Sequence, residues 1–303
     1  MRALQNFVRR SFHHLQFATV RTGLQASSII APTLAKHWGM RLFAQPLGPR
    51  KIRYDFSKYP AFHAMRLCFQ PSYRPQLQSL QAYAWGQPDT RPTVLLVHGW
   101  GGWGLQMGHF VQPLLDQGFA VIAVDMPAHG QSAGRMATLP LWSEAIQALL
   151  LQQPKIVGAI CHSFGGGALA YALTKHPAST QTLQRIALMG APADMGLSLQ
   201  RFGQALGLSR PHVHAIQQGW EGKLGLSFQS MCVEASTLPK HISALLVHDE
   251  QDKVVGLDEF ARYQRHWPSA QSLRTKNLGH QQVLRDPKVV AAVVNFMSFI
   301  SAT

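Results

Sequence analysis

The stretch AICHSFG, residues 159–165, ends a short apolar run in a serine and opens onto three consecutive glycines, Gly165 to Gly167. A buried strand that runs straight into Ser163 and then into a helix places the hydroxyl at a sharp turn. A strained turn accepts only small neighbours, which accounts for the glycines and for Cys161 two residues before the serine, where the usual pattern is G-x-S-x-G. A serine hydroxyl is a poor nucleophile until a base takes its proton. His280, on a loop beyond the last expected strand, is placed to be that base and then the acid for the leaving group. A carboxylate must hold such an imidazole in one tautomer and stabilise its cation, and Asp249 and Asp252 are the two candidates. The helix beginning at Phe164 points its first amides at any anion that forms beside Ser163. Taken alone, the pattern also fits a serine that caps a helix in a glycine-rich turn.

The elements that would position these residues are legible as short apolar strands alternating with helical stretches. TVLLVHG (93–99), FAVIAVD (119–125), KIVGAI (155–160), RIALMG (185–190), SALLVHD (243–249) and SLRTK (272–276) read as strands. Helices are expected over 105–117, 141–152, the stretch after Ser163, and 288–300. Continuous apolar strands separated by helices imply an α/β architecture, a mostly parallel sheet covered on both faces. Residues 191–241 hold helical pieces and no convincing strand, so they read as an insertion, a short helical lid at the carboxyl ends of the strands.

The chain of 303 residues carries a net charge of +14, with 46% hydrophobic and 14% charged residues. The surplus charge is local. Residues 1–54 contain nine Arg or Lys and no acid, whereas the remaining 249 residues hold 19 basic and 14 acidic residues. Neither an aromatic-rich basic motif nor a zinc-finger spacing accompanies it, so nucleic-acid binding is not expected. Cys68, Cys161 and Cys232 are far apart and odd in number, which suggests reduced thiols and neither a disulfide framework nor a metal site. Residues 1–54 are expected to form a basic helical extension, with apolar residues at helical spacing (Leu4, Phe7, Val8, Phe12, Leu15), and 55–303 the main domain. No apolar run is long enough to span a membrane, and no clean secretory signal is seen. Three origins for the extension stay open: a mitochondrial presequence, a helix packed on the body, or a helix on an anionic membrane surface. The first sets a mitochondrial location against the otherwise expected cytoplasmic one, with peripheral contact at the inner membrane face.

Over residues 78–302 the chain resembles the α/β-hydrolase family. The segments that carry the resemblance are VLLVHGWGG (95–102), DMPAHGQS (125–132), CHSFGGG (161–167), LLVHDEQDKVV (245–255) and NLGHQQVLRDPKVV (277–290), in that order. The resemblance implies a nucleophile elbow at Ser163 and the family's order of serine, acid and histidine. It favours Asp252 over Asp249 as the acid, because the family loop places the acid two residues before a Val-Val or Val-Pro pair, here Val254-Val255. It also implies an oxyanion hole built from the amides of Trp100 and Phe164. The side chains of Trp100 and Trp103 either line an acyl pocket or pack. Trp142, Met189 and Met231 are assigned to packing, His98 and His129 to bracing loops, and His162 to the far side of the elbow. His212, His214 and His241 lack ligand spacing. The expected reaction is hydrolysis of a carboxylic ester, small or lipid-like, through an acyl-serine intermediate, with no cofactor. A thioesterase, lactonase or amidase of the same fold stands next, then a non-catalytic hydrolase-fold binding protein. Cys161 lies close enough to the serine for its oxidation to impair activity. The oligomeric state is not legible.

Overall fold

The computed structural model describes residues 18–46, 56–73 and 76–298. Two compact units emerge from the contacts. One comprises the described residues up to Ala44 together with Met195–Ser230; the other comprises those within Gln45–Asp194 and from Met231 onward. The apolar positions expected to mark the N-terminal helix, Leu4 to Leu15, lie outside the described residues, as does the expected boundary at residue 54.

The larger unit is built on one sheet of eight strands: β1 (His63–Phe69), β2 (Gln78–Trp85), β3 (Thr93–Val97), β4 (Ala120–Asp125), β5 (Ile156–His162), β6 (Arg185–Met189), β7 (Ser243–Asp249) and β8 (Gln271–Thr275). Their order across the sheet is β1-β2-β4-β3-β5-β6-β7-β8. β3 to β8 run parallel, while β2 is antiparallel to both β1 and β4. Every residue of β3, β4 and β5 is buried. That burial explains their unbroken Val, Ile, Leu and Ala content, because helices cover both faces of a parallel sheet. One face packs Leu96, Val121, Ile160 and Val247 against Phe110, Leu114, Val293 and Met297.

The crossovers are helical. The expected helix over 105–117 is instead a 3₁₀ stretch, Gly104–Phe110, followed by α3 (Val111–Asp116). Pro113 lies in the first turn of α3, where its missing N–H is tolerated but an uninterrupted helix through it is not. α4 (Leu139–Gln152) begins at Thr138, whose hydroxyl accepts from the Leu141 amide. α5 (Phe164–Lys175), α8 (Leu257–His266), the short α9 (Gly279–Gln282) and α10 (Pro287–Ser298) complete the unit. β3 is followed by β4 on one side and flanked by β5 on the other, so the connections leaving β3 and β5 diverge. The crevice this opens at the carboxyl edge is where open α/β sheets bind ligands.

The chain leaves this unit after Asp194 and returns at Met231, and the two stems are tied together. The Val233 amide donates to the Ala193 carbonyl at 2.7 Å. The fully buried Glu259 on α8 accepts from the amides of Ala193 and Asp194 at 2.6 and 2.9 Å. Arg262, one turn on, bridges Asp194 and Glu234.

The smaller unit contains α1 (residues 18–30), then α2 (Pro32–Ala44), α6 (Met195–Leu206) and α7 (Arg210–Leu224). Leu24, Ala35 and Leu206 form its buried centre, with Val20, Trp38, Leu42 and Phe202 around them. α2 and α7 approach through glycine on each helix. A Cβ at Gly39 would sit 2.4 Å from Ile216 Cδ1, and one at Gly219 would sit 2.4 Å from the Met40 sulfur. The Trp220 indole donates to the Met40 carbonyl, and the His212 Nε2–H to the Ser28 carbonyl. The stretch expected as an insertion thus supplies two helices that pack on the N-terminal helices. Gly39→Val should force α2 and α7 apart and lower stability by about 1–3 kcal/mol, as overpacked contacts do. Urea unfolding of the two proteins measures it, and an unchanged midpoint would mean that the helices do not need this approach.

Candidate functional site

β5 delivers Ser163 to the carboxyl edge, and the turn there is strained. Ser163 has φ 50 and ψ −125, one of three non-glycine residues with left-handed φ among those described; Ala128 and Asn277 are the others. Its amide donates to the Met189 carbonyl on β6 at 2.8 Å. The next turn is held against β3 without a side chain between. A Cβ at Gly165 would lie 2.5 Å from the His98 carbonyl oxygen, and one at Gly99 would lie 2.7 Å from Ser163 Cβ. Only glycine permits both approaches, which is the physical content of the glycines on either side of the serine.

Three side chains meet here from three loops. His280 Nε2 lies 2.9 Å from Ser163 Oγ, and His280 Nδ1 lies 2.6 Å from Asp252 Oδ2. A carboxylate only accepts, so Nδ1 carries the hydrogen and Nε2 is left to accept the serine proton. Asp252 Oδ1 accepts from the amides of Val254 and Val255 at 2.8 and 3.0 Å, so both oxygens are oriented. Burial would raise the Asp252 carboxyl, but the hydrogen bond and charge of His280 and the two valine amides outweigh it and hold the group ionised. Asp249, the rival acid, faces elsewhere. Its Oδ2 accepts from the Thr275 hydroxyl and the Leu278 amide at 2.8 and 3.0 Å, and its Oδ1 accepts from the Gln251 amide. It therefore braces the loop that carries His280.

The remaining expected residues also take definite places. Residues 99–102 form a turn closed by the Gly102 amide on the Gly99 carbonyl, with Gly101 at φ 70 and Trp100 in the second position. This is the pattern of a type II turn. Phe164 begins α5, and the first amides of a helix have no carbonyl within it to bond. Its ring packs edge-on between Trp100 and Trp142, at 5.5 and 4.9 Å between centroids. Trp142 is fully buried and packs, as does Trp103, which lies against the main core.

His98 donates from Nδ1 to the Gly99 carbonyl and accepts at Nε2 from the Met126 amide. His129 accepts at Nε2 from the Gly101 amide and donates from Nδ1 to the Pro127 carbonyl. Both brace the turn that carries Trp100. His162, expected to leave the elbow on the other side from the serine, meets the loop that carries His280. Its Nε2–H donates to the His280 carbonyl at 2.9 Å, and the two rings are 4.6 Å apart. Strand alternation does separate the directions of 162 and 163, but the loop after β8 brings the His280 backbone round to the 162 side. Asp125 was seen only as part of a motif. It is fully buried and accepts from the Gly104 and Gln131 amides and the Tyr83 hydroxyl, pinning the loop after β4. Cys161 is fully buried and desolvation pushes its thiol up, so it stays protonated and inert, contrary to the expected oxidation sensitivity. Among the described residues, no cluster of His, Cys, Asp and Glu has the makings of a metal site.

A mostly parallel sheet that presents a serine on a strained strand-to-helix turn, with histidine and carboxylate loops from later strands, matches one architecture. The chain is an α/β-hydrolase-fold protein. Residues 92–208 match the family model described as alpha/beta hydrolase fold. Among curated proteins it is similar to a pimeloyl-[acyl-carrier protein] methyl ester esterase of Aromatoleum aromaticum, 34% identical over 33% of this chain and 37% of that protein. The chain thus matches about a third of the length of the curated relatives it resembles. Among solved structures it is similar to an esterase from Rhodococcus sp., with a TM-score of 0.55, 18% identity and coverage of 80% of this chain and 100% of the other. A thioesterase domain from the curacin biosynthetic pathway gives a TM-score of 0.54 with 16% identity, over 80% of this chain and 100% of that domain. Among the described residues, no helix is long and apolar enough to cross a membrane.

Three imidazoles of the site are held neutral. Burial, as the largest cause in each, lowers His98 to about 4, and His129 and His162 to about 3. The unfolded chain therefore binds the extra protons. The stability these rings contribute is fully present above about pH 6.5 and is lost as the pH falls through their folded values. Asp252 and Asp249 are shifted downward and act in a separate window, below about pH 4. Unfolding free energy should fall by about 1–2 kcal/mol per ring between roughly pH 7.5 and pH 5. Urea titrations at the two pH values measure this, and a flat profile would show that the rings are not held neutral.

Proposed function

We propose that this chain is a serine hydrolase that cleaves carboxylic esters through an acyl-serine intermediate. The observation that carries the reading is the continuous line from Asp252 through His280 to Ser163, with separations of 2.6 and 2.9 Å. As Ser163 Oγ bonds to the ester carbonyl carbon, its proton passes to His280 Nε2, and Asp252 stabilises the imidazolium. The carbonyl oxygen becomes an oxyanion and accepts from the amides of Trp100 and Phe164. When the C–O bond breaks, the imidazolium returns the proton to the departing alkoxide. Water then repeats the sequence: it gives a proton to Nε2, attacks the acyl carbon and releases the acid and the free serine. A thioester would pass through the same acyl-serine, and the likeness to a thioesterase domain supports it as the second substrate class. The curated relative is named as an esterase, which supports ester first.

Two experiments test this. Wild-type protein should be labelled by a fluorophosphonate and should hydrolyse p-nitrophenyl esters across a chain-length panel, whereas Ser163→Ala should do neither and keep its fold. Labelling that survives the substitution would move the nucleophile elsewhere. Asp252→Asn should lower kcat by about 10⁴, because the imidazole then adopts the wrong tautomer. Asp249→Asn should leave kcat within about tenfold while lowering thermal stability, since it loosens the histidine loop. The opposite ranking in kcat would make Asp249 the acid.

A further inference from the structure

The two helices before residue 45 are amphipathic in an unusual sense, because both of their faces carry apolar residues. The inward face, with Leu24 and Ala35, is buried against Leu206 and its neighbours in the smaller unit. The outward face exposes Ile29 (82%), Ile30 (83%) and Leu34 (63%), and the two isoleucines are the most exposed of the large hydrophobic residues described. They straddle the corner at Ala31–Pro32, where the helix breaks because Pro32 has no N–H to give. Ile29 and Ile30 end one helix and Leu34 lies in the first turn of the next, so the three flank the same corner. Packing does not explain them, since the packing face is the other one.

The charge around this corner has one sign. Across the described residues 18–44 and 195–230 the sequence holds six Arg or Lys and a single acid, Glu221. Glu221 is already engaged by the Phe228 amide and the Gln217 side chain. Arg21 and Arg41 are exposed on the same two helices as the aliphatic corner. A second copy of this chain is a poor occupant, because it would bring like charge against like. The corner also lacks the Trp and Tyr anchors that concentrate binding energy in protein interfaces. Branched aliphatic side chains on a unit with a surplus of cations suit a fluid apolar layer under an anionic surface.

We propose that the Ile29–Ile30–Leu34 corner is a docking surface for an anionic lipid bilayer, inserting these side chains at headgroup depth while the Arg and Lys residues of the same unit meet the lipid charge. The proposal locates membrane contact on a surface of the folded unit, so packing and membrane association are two faces of the same helices. It does not depend on the hydrolytic reading.

Full-length protein is sedimented with vesicles of phosphatidylcholine alone and with vesicles that also contain phosphatidylglycerol. It should pellet with the second, not the first, and be released at about 0.5 M salt, where screening is nearly complete over several ångströms. The triple variant Ile29→Ser, Ile30→Ser, Leu34→Ser should bind anionic vesicles about tenfold more weakly, since its exposed apolar area is removed. Its circular dichroism and its hydrolysis of a short soluble ester should match the wild type. Arg41→Gln should weaken binding by a few-fold and reduce its salt dependence. Equal binding of the triple variant and the wild type would overturn the proposal, as would failure of the wild type to pellet with anionic vesicles. Sedimentation velocity covers the remaining occupant: a wild-type dimer that the triple variant dissociates would assign the corner to a second copy and overturn the lipid assignment.

Discussion

A serine held at φ 50 costs about 1–3 kcal/mol relative to ordinary backbone, and it persists only where its surroundings over-determine it. Two neighbouring strands and a loop share that task. β6 accepts the serine amide, β3 supplies the backbone on which Gly165 rests, and the loop after β3 presses Gly99 against the serine itself. Each contact is between main chains or between main chain and Cβ, so none can relax by a rotamer change. The sheet order that sets β3 beside β5, with their following loops diverging, is what makes the approach sterically open. Core packing, crossover helices and loop braces all serve to keep these three strand ends in register.

Around the turn, imidazoles serve as rigid struts. His98, His129 and His162 each use a ring N–H to hold a carbonyl, and the first two also accept from an amide, so their tautomers are dictated by the backbone. Neutrality is essential to this use. A charged ring would need a second acceptor, and in these sites an amide already points at the other nitrogen or no partner is present, as at His162 Nδ1. Of the four rings around the turn, His280 is the one hydrogen-bonded to a carboxylate; it receives its orientation from Asp252 on one side and its backbone position from His162 and Asp249 on the other.

Five of the six parallel strands, β3 to β7, were legible because burial leaves a nearly uninterrupted apolar run, whereas β8 is polar and largely exposed. β1 and β2 were not named from the sequence. Arg66 interrupts the apolar residues of one, and Gln78 and Gln81 those of the other, as suits strands away from the parallel centre. The spacing and order of Ser163, Asp252 and His280 were readable, and so was the preference for Asp252, since the loop pattern ahead of Val254-Val255 carries it. The partner of His162 was not readable, because strand alternation gives a side chain's direction and not what a distant loop brings to meet it. The same holds for the packing of residues 18–44 on α6 and α7. Those segments lie more than 150 residues apart, and no local pattern records their pairing.

The tied stems at Asp194 and Met231 bear on how such a chain can change over generations. Glu259 and Arg262 fix where the segment departs and re-enters, using backbone amides and charges that belong to the sheet-bearing unit alone. Because the ends meet whatever lies between them, a longer or shorter replacement alters the closure entropy only logarithmically. The helices between the stems can therefore be exchanged as a cassette, with the sheet and the serine turn inherited intact.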